Sequence, residues 1–440
     1  MKIKEIRAMK RISNFLMMSF AFLNFAYAEG PAAYSMDDCV QQALEHNPAA
    51  AYAKESELAA REDVETAKGK YYPDVGLEAG YRRFATHVFL PEQLSGPAIP
   101  PTVGPINDYR LGLRANYSVY DSGLRSSDMK TAEATLASSQ EESNRTRADI
   151  VYRAQAAFYE VLQAQDGVDL AKSQAKRSQD HLRLAEERKT AGAVPQADVT
   201  RSRTEVASAQ LDVASAESTL RIALGKLNEA MGRNASDPLE IAKPALVPPD
   251  PNQINIQESI QKAIASRPEI LAAQKRVEAK RSQIGSVQSD NRPKVNAEAG
   301  YGWRDDNFKP PDKDWWVGVT LNVPIFDGGA RSHRIAKSKI EANKEAQQLE
   351  QTKLSIQQEV WTAYSQWIEA YQALQTSGVM KSEAAESLNL INARYEEGAS
   401  TISDLLDAEL AASQSEVNLN NAQYQVHIAH AAFLRSAGLL

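Results

Sequence analysis

The sequence has few of the residues on which catalytic and metal chemistry depend. Its 440 residues include one cysteine, Cys39, and six histidines. A single cysteine excludes a disulfide framework within the chain, and we interpret Cys39 as a small core residue of a helix. His427 and His430 are neighbours on one helix and could hold a metal together, but no carboxylate or cysteine cluster accompanies them. No glycine loop that would cradle a phosphate is present. We therefore expect no enzyme activity, no cofactor and no metal site.

Long hydrophobic runs are also scarce. The mean hydropathy is −0.46, and beyond the N-terminus no apolar run approaches the roughly 20 residues that a transmembrane helix needs. The exception is residues 1–28, where a basic start precedes the apolar stretch Phe15 to Phe25 and the small-x-small sequence Ala26-Tyr27-Ala28. We interpret this segment as a secretory signal peptide, with Met1 or Met9 as the start, rather than as a buried N-terminal helix.

The charge balance is acidic. Removing residues 1–28 takes five basic and one acidic residue from totals of 50 and 57, which leaves a net charge of −11. A chain of this charge is a poor partner for nucleic acid.

The chain contains an internal duplication. Pro48 and Tyr81 are followed 220 positions later by Pro268 and Tyr301, and Gly192 is followed 206 positions later by Gly398. A repeat of this length indicates one structural unit used twice. The predicted organisation is a signal peptide (1–28), a first repeat (29–232), a proline-rich linker (233–253) and a second repeat (254–440), each repeat holding a helix, a strand pair and a long helix hairpin.

Long helical patterns surround the two equivalent glycines. One pattern runs from about residue 125 to Thr190 and returns from Gln196 to Ala230. Sixty-odd helical residues span roughly 100 Å, more than an ordinary globular domain. In the second copy, apolar residues step by four and three along the helix, which predicts a coiled-coil seam: Val360, Tyr364, Trp367, Tyr371 and Leu374. A shorter pattern, Met36 to Lys70, predicts a single helix.

Four segments instead alternate strictly between apolar and polar residues. The second of them runs from Tyr109 to Tyr120, after a predicted loop at 83–108. One face is apolar with aromatic residues near the ends, and the other carries charged residues such as Glu78, Arg110 and Arg114. This pattern is typical of a transmembrane β-barrel, although a soluble sheet with one wet face is the alternative. Four strands are too few to close a barrel, so several chains would have to share one.

This order of elements resembles the TolC-like outer-membrane efflux protein family. The most telling segments are Tyr395–Ala408 (YEEGASTISDLLDA) and Pro324–Gly329 (PIFDGG). The resemblance implies an α+β membrane protein: a homotrimer with a 12-stranded outer-membrane barrel, four strands per chain, continued by an α-helical coiled-coil periplasmic tunnel. It also implies a passive exit duct for efflux or type I secretion, joined by a periplasmic adaptor (membrane fusion) protein to an inner-membrane pump. Drugs and polypeptides both remain possible cargo, and the alternative function is a periplasmic coiled-coil or adaptor protein without a barrel.

The resemblance also assigns a periplasmic gate. Asp404 and Asp407 fall where family members present carboxylates to the narrow end of the tunnel. Converging carboxylates from three chains would repel one another, which raises some of their pKa values, and would attract cations. An exposed acidic helix face is the alternative interpretation. Tyr395 and Asp198 match positions that link neighbouring helix pairs in the closed state.

One position departs from the family pattern. Ser400 stands where some members have an arginine that helps to lock the gate, so closure should rely on Tyr395 and Asp198 or on other contacts. The turn tips resemble surfaces that meet adaptor hairpins: Gly192, Ala193, Val194, Gly398, Ala399 and Ser400.

The strand pattern makes a prediction about the cell fraction. We expect the mature protein in outer membranes as an SDS-resistant trimer with β-structure, because strand edges exposed to lipid must be paired. Membrane fractionation, gel electrophoresis without boiling and circular dichroism measure these properties. A soluble monomer would exclude the barrel.

Overall fold

The computed structural model describes residues 33–87, 102–308 and 313–440. The predicted signal peptide, 1–28, lies outside these ranges.

The same order of elements occurs twice. The corresponding helices of the two copies have equal lengths of 11, 22, 67 and 35 residues. The first copy consists of α1 (Met36–His46), α2 (Pro48–Gly69), β1 (Asp74–His87), β2 (Thr102–Tyr120), α3 (Leu124–Thr190) and α4 (Gln196–Ala230). After a short 3-10 turn (Pro251–Gln253), the second copy consists of α5 (Ile256–Ser266), α6 (Pro268–Ser289), β3 (Lys294–Asp305), β4 (Lys313–Asn322), α7 (Ala330–Glu396) and α8 (Ile402–Ser436).

The prediction of one helix from Met36 to Lys70 is wrong, because the helix is interrupted at Asn47. The residue before a proline disfavours the helical conformation, and Asn47 has the extended angles φ −69° and ψ 125°. Its side-chain oxygen accepts a hydrogen bond from the Ala49 N–H at 2.9 Å, which caps α2.

The break also fastens the return helix in both copies. The Asn47 Nδ2 donates to the carbonyl of Ala230, at the end of α4, at 2.9 Å. In the second copy the residue before the proline is Arg267, and its Nη1 donates to the carbonyl of Ser436, at the end of α8, at 3.0 Å. Different side chains therefore satisfy equivalent helix-end carbonyls.

The four long helices form two antiparallel hairpins, α3–α4 and α7–α8, which meet where α3 packs against α8. The predicted seam is buried: Val360 and Trp367 are inaccessible and pack with Phe433 of α8. Cys39 is fully buried in the equivalent core of the first copy, as predicted, and burial raises the pKa of its thiol to about 12. Within the described ranges no helix is both long enough and apolar enough to cross a membrane.

A buried charged junction joins four helices near the end of α8. Arg267 is 2% exposed and donates to Glu269 of α6 and to Glu359 of α7, the latter at 2.8 Å. Arg435 of α8 donates to Asp149 of α3 at 2.7 Å and also pairs with Glu269 and Glu359. Each buried charge therefore has an opposite charge and a hydrogen bond, which burial requires.

The four strands form one antiparallel sheet in the order β1-β2-β3-β4. The predicted alternation is confirmed: residues such as Leu77, Val317 and Val319 share a face and are 70%, 73% and 70% exposed. The opposite face carries Arg304, which donates to Asp108 at 2.6 Å. Neither β1 nor β4 has a strand partner on its outer edge within the described residues.

The predicted loop at 83–108 is partly wrong. The ladder continues beyond Tyr109, with pairs such as Arg83 with Asn107 and His87 with Thr102. Pro105 is tolerated there because β3 ends at Asp305, opposite Tyr109, so this part of β2 has a free edge.

Glycines on the polar face let neighbouring groups approach closely. A Cβ at Gly302 would lie 2.2 Å from the carbonyl oxygen of Leu111, on β2. A Cβ at Gly300 would lie 2.5 Å from the Trp316 indole nitrogen, so the indole occupies the space that glycine leaves. Trp316 lies on the same face as Arg114, with Gly300 between them.

The approach at Gly302 predicts a sharp difference between two substitutions. Gly302→Ala forces a methyl group against strand backbone and should destabilise the sheet by about 1–3 kcal/mol. Gly318→Ala is the matched control, because among the described residues no atom other than those of Gly318 and its two chain neighbours lies within 4 Å of its added Cβ. The temperature at which the SDS-resistant trimer dissociates should fall for Gly302→Ala alone. Equal tolerance of both changes would contradict the β2–β3 register.

Candidate functional site

The two long hairpins end in the same kind of turn. Gly192 and Gly398 have φ angles of +72° and +77°, a region that favours glycine. The Ala193 N–H donates to the Arg188 carbonyl at 2.9 Å, and the Ala399 N–H donates to the Arg394 carbonyl at 2.7 Å. These six-residue closures satisfy helix-end carbonyls and reverse the chain. Both turns lie about 100 Å of helix from the sheet, given 67 residues in α3 and in α7.

The helices that follow the turns start differently. Pro195 precedes α4, and no side chain caps that helix. Thr401 precedes α8 and forms a capping box with Asp404. The Asp404 carboxylate accepts from the Thr401 N–H at 2.9 Å and the Thr401 hydroxyl at 2.7 Å, and the Ser400 hydroxyl adds a longer bond. Only the second turn therefore starts its helix with a fixed carboxylate.

These bonds control the charge of Asp404. The hydrogen bonds from Thr401, chiefly from its hydroxyl, lower the pKa of the Asp404 carboxyl, and Arg394 contributes in the same direction. The shift within one chain is thus opposite to the rise expected from converging carboxylates of three chains. Asp404 and Asp407 are both exposed, so their carboxylates are open to solvent.

Within one chain, the structure places Arg188 against Tyr395. The Arg188 guanidinium carbon lies 4.6 Å from the centre of the Tyr395 ring, within the range of a cation–π contact. Tyr395 is 8% exposed and packs with Ile402 and Leu405. Asp198 lies half-buried in the first turn of α4.

A second arginine joins the two turns. Arg201 of α4 donates to the hydroxyl of Ser403 on α8. Arg188 and Arg201 together connect the two hairpin ends of one chain. Ser400, in place of the familiar arginine, bonds only to its own helix start. Sequence reasoning missed Arg188 as a contact of Tyr395, because the two residues are more than 200 positions apart.

The tips beyond these contacts are open. Gly192, Ala193, Gly398 and Ala399 are exposed, while Val194 and Ser400 are half-buried. The small exposed residues leave the backbone of both turns accessible.

A charged pair missed by sequence reasoning lies behind the turns. The Nε2 of His181 on α3 lies within hydrogen-bond distance of the carboxylate of Glu409 on α8, although Glu409 is only 7% exposed. Sequence offered no signal for it, since 228 positions separate the partners.

His427 and His430 point into two different helix contacts. His427 stacks on Tyr159 of α3 at 5.0 Å, and His430 lies against Trp367 of α7 at 4.7 Å. Burial lowers the pKa of both imidazoles. Within the described ranges, no group of three or more potential ligands could hold a metal. Each of the two imidazoles is packed against an aromatic ring.

Fold and site together define a class of protein. An antiparallel sheet with an exposed apolar face and free edges belongs in a membrane barrel shared between chains. The coiled helices that extend it end in turns with exposed carboxylates. This is the architecture of an outer-membrane channel with a helical periplasmic extension.

Comparison with known proteins gives the family. Residues 39–233 and 259–439, one stretch in each copy, match the family described as outer membrane efflux protein. The chain is 24% identical to protein CyaE of Bordetella pertussis, over 93% of this chain and 84% of that protein, and 24% identical to outer membrane protein TolC of Vibrio cholerae, over 89% and 88%. The CmeC outer membrane channel of Campylobacter jejuni superimposes with a TM-score of 0.81 at 15% identity, covering 92% of this chain and 85% of that one.

The chain belongs to the outer membrane efflux protein family. It is an α+β outer-membrane protein whose trimer shares one barrel, with four strands from each chain, continued by a helical tunnel. The family resemblance expected from the sequence is confirmed, and the alternative of a periplasmic protein without a barrel is wrong.

The capping box predicts how two neighbouring acids differ. Asp404→Ala removes the acceptor of the Thr401 N–H, so amide exchange at the start of α8 should become several-fold faster. Asp407→Ala is the matched control, because it leaves the box intact. Hydrogen exchange with mass spectrometry on the trimer measures both. Equal protection in the two variants would contradict the cap.

Proposed function

We propose that this outer-membrane channel is the passive exit duct of a three-part efflux or type I secretion machine, gated at its periplasmic end by the α8 acids. The observation that carries the proposal is the placement of Asp404 and Asp407. Both carboxylates are exposed in the first two turns of α8, directly behind a turn about 100 Å from the barrel. In a trimer around one axis, they contribute six carboxylates to the tunnel end.

The capping box supports a charged gate. Because Thr401 lowers the pKa of the Asp404 carboxyl, this group resists the protonation that repulsion between chains would favour. The ring therefore keeps negative charge, attracts cations and holds multivalent cations most strongly. Asp407, whose carboxylate lies one turn further along, extends this field.

The turn tips support docking of a periplasmic adaptor. Gly192, Ala193, Gly398 and Ala399 are small and exposed, so the tips of a partner hairpin could pack closely on them. Through that adaptor the duct would connect to an inner-membrane pump, which supplies the energy and selects the cargo. Tyr395, against which Arg188 packs, stabilises the closed periplasmic end of the tunnel. Asp198 has the same role.

The gate predicts a change in ion selectivity. Asp404→Asn with Asp407→Asn removes the charges and keeps an oxygen that Thr401 can bond. Cation selectivity in planar bilayers should fall, and block by multivalent cations should weaken by at least about tenfold, because binding to a ring depends on its total charge.

The matched control is Glu396→Gln with Glu397→Gln, which removes two exposed carboxylates on the other side of the same turn. This control should conduct as the wild type does. Unchanged selectivity in the aspartate variant would remove Asp404 and Asp407 from the gate.

A further inference from the structure

The seam between α3 and α8 is the contact between the two hairpins of one chain. Near the middle of the helices it is held by neutral or permanently charged groups. The Tyr424 hydroxyl donates to Asp166 at 2.7 Å, and the Asn420 Nδ2 donates to the Gln163 carbonyl at 3.0 Å. Closer to the turns, Arg177 lies 3.5 Å from Glu416. None of these three contacts involves a histidine.

The last of the seam contacts is different. His181 pairs with Glu409 nearest the turns, and histidine is the side chain whose charge changes near neutral pH. Glu409 is 7% exposed and His181 is half-buried. A buried carboxylate depends on its partner for compensation, so the imidazole charge decides how well α8 is held here.

We propose that His181 and Glu409 are positioning residues for the gate: protonated His181 holds the start of α8 against α3, and loss of that proton loosens it. This inference rests on the proposed gate. Glu409 lies two residues after Asp407 and five after Asp404, on the same straight helix. Leu405, between the acids, is 1% exposed. A shift of this part of α8 therefore moves both carboxylates.

Besides Glu409, the charges that act on His181 are those of Asp180 and Arg177. On α3, Asp180 favours the protonated form and Arg177 disfavours it, but Arg177 is bonded to Gln174 and paired with Glu416. From α4, Arg203 is paired with Glu186, and from α7, Lys381 faces Glu416.

The resulting pH dependence has a definite sign. The Glu409 hydrogen bond is the main cause that raises the pKa of His181 above its ordinary 6.5, and burial opposes it. A raised pKa in the packed state means that the stabilisation is fully present below about pH 6.5 and is lost as the pH rises through the raised value. The closed gate is thus firmest in acid and looser in alkali.

The experiment is single-channel recording of the purified trimer between pH 5.5 and 9. Wild-type open probability should rise as the pH increases, because the pair with Glu409 weakens when His181 loses its proton. His181→Gln should be flat across this range and as open as the wild type at pH 9. His181→Lys, which keeps a positive charge throughout, should be flat and closed.

Lys226→Gln is the matched control. Lys226 of α4 pairs with Glu160 of α3 at 2.9 Å inside the first hairpin, 21 residues along α3 from His181, so its loss should leave the pH profile unchanged. A flat wild-type profile, or a wild-type profile in His181→Gln, would overturn the proposal.

A second measurement separates this proposal from the proposed gate. Amide exchange over residues 402–410 needs no conduction, and in the wild type it should rise with pH, after correction for the intrinsic rate, relative to His181→Lys. Equal exchange in the two proteins overturns the positioning role. Loss of selectivity in the Asp404 and Asp407 variant, with an unchanged pH profile in His181→Gln, would leave the gate standing and refute only the pair.

Discussion

Pairing of strand edges in lipid is the constraint on which the rest of the structure depends. A hydrocarbon layer offers no water to an unpaired N–H or C=O group, and the sheet of one chain ends in the free edges of β1 and β4. Three chains close these edges on one another. Once the barrel is closed, the helices that follow β2 and β4 must run together around the same axis. Their turns then converge at the far end of the tunnel.

The two copies share the same architecture, and they differ in the side chains that fix the start and the end of the return helix. Both copies fasten the return helix through the residue before a proline, Asn47 or Arg267. Only the second copy adds the buried junction of Arg267, Arg435 and their carboxylates, and only it starts its last helix with the Thr401 and Asp404 capping box. The first copy contributes contacts to this specialised helix through Arg201 and His181, and Arg188 contacts Tyr395 at the end of α7.

Asp404, the proposed gate acid, combines two physical roles. Its carboxylate caps the start of α8 by accepting hydrogen bonds from Thr401, and the same bonds lower its pKa. The two roles can be separated by substitution at Asp404. Asparagine removes the charge and keeps an acceptor for Thr401, whereas alanine removes both. A few residues further on, Glu409 ties this helix start to α3. The position of the acids and their charge thus depend on both hairpins of the chain.

Much of the fold was predictable from sequence because its signals are local. Alternation within ten residues defined the strands, the glycines marked the helix turns, and equal spacing between copies defined the repeat. The break at Asn47 was missed because capping at this residue outweighed the helical pattern around it. The extension of β1 and β2 into the predicted loop was missed because backbone pairing outweighed the proline pattern. The partners of the site needed the tertiary structure. Arg188 contacts Tyr395, and His181 contacts Glu409, although more than 200 residues separate the partners of each pair. Packing between the two hairpins brings these partners together, and no local sequence preference indicates it.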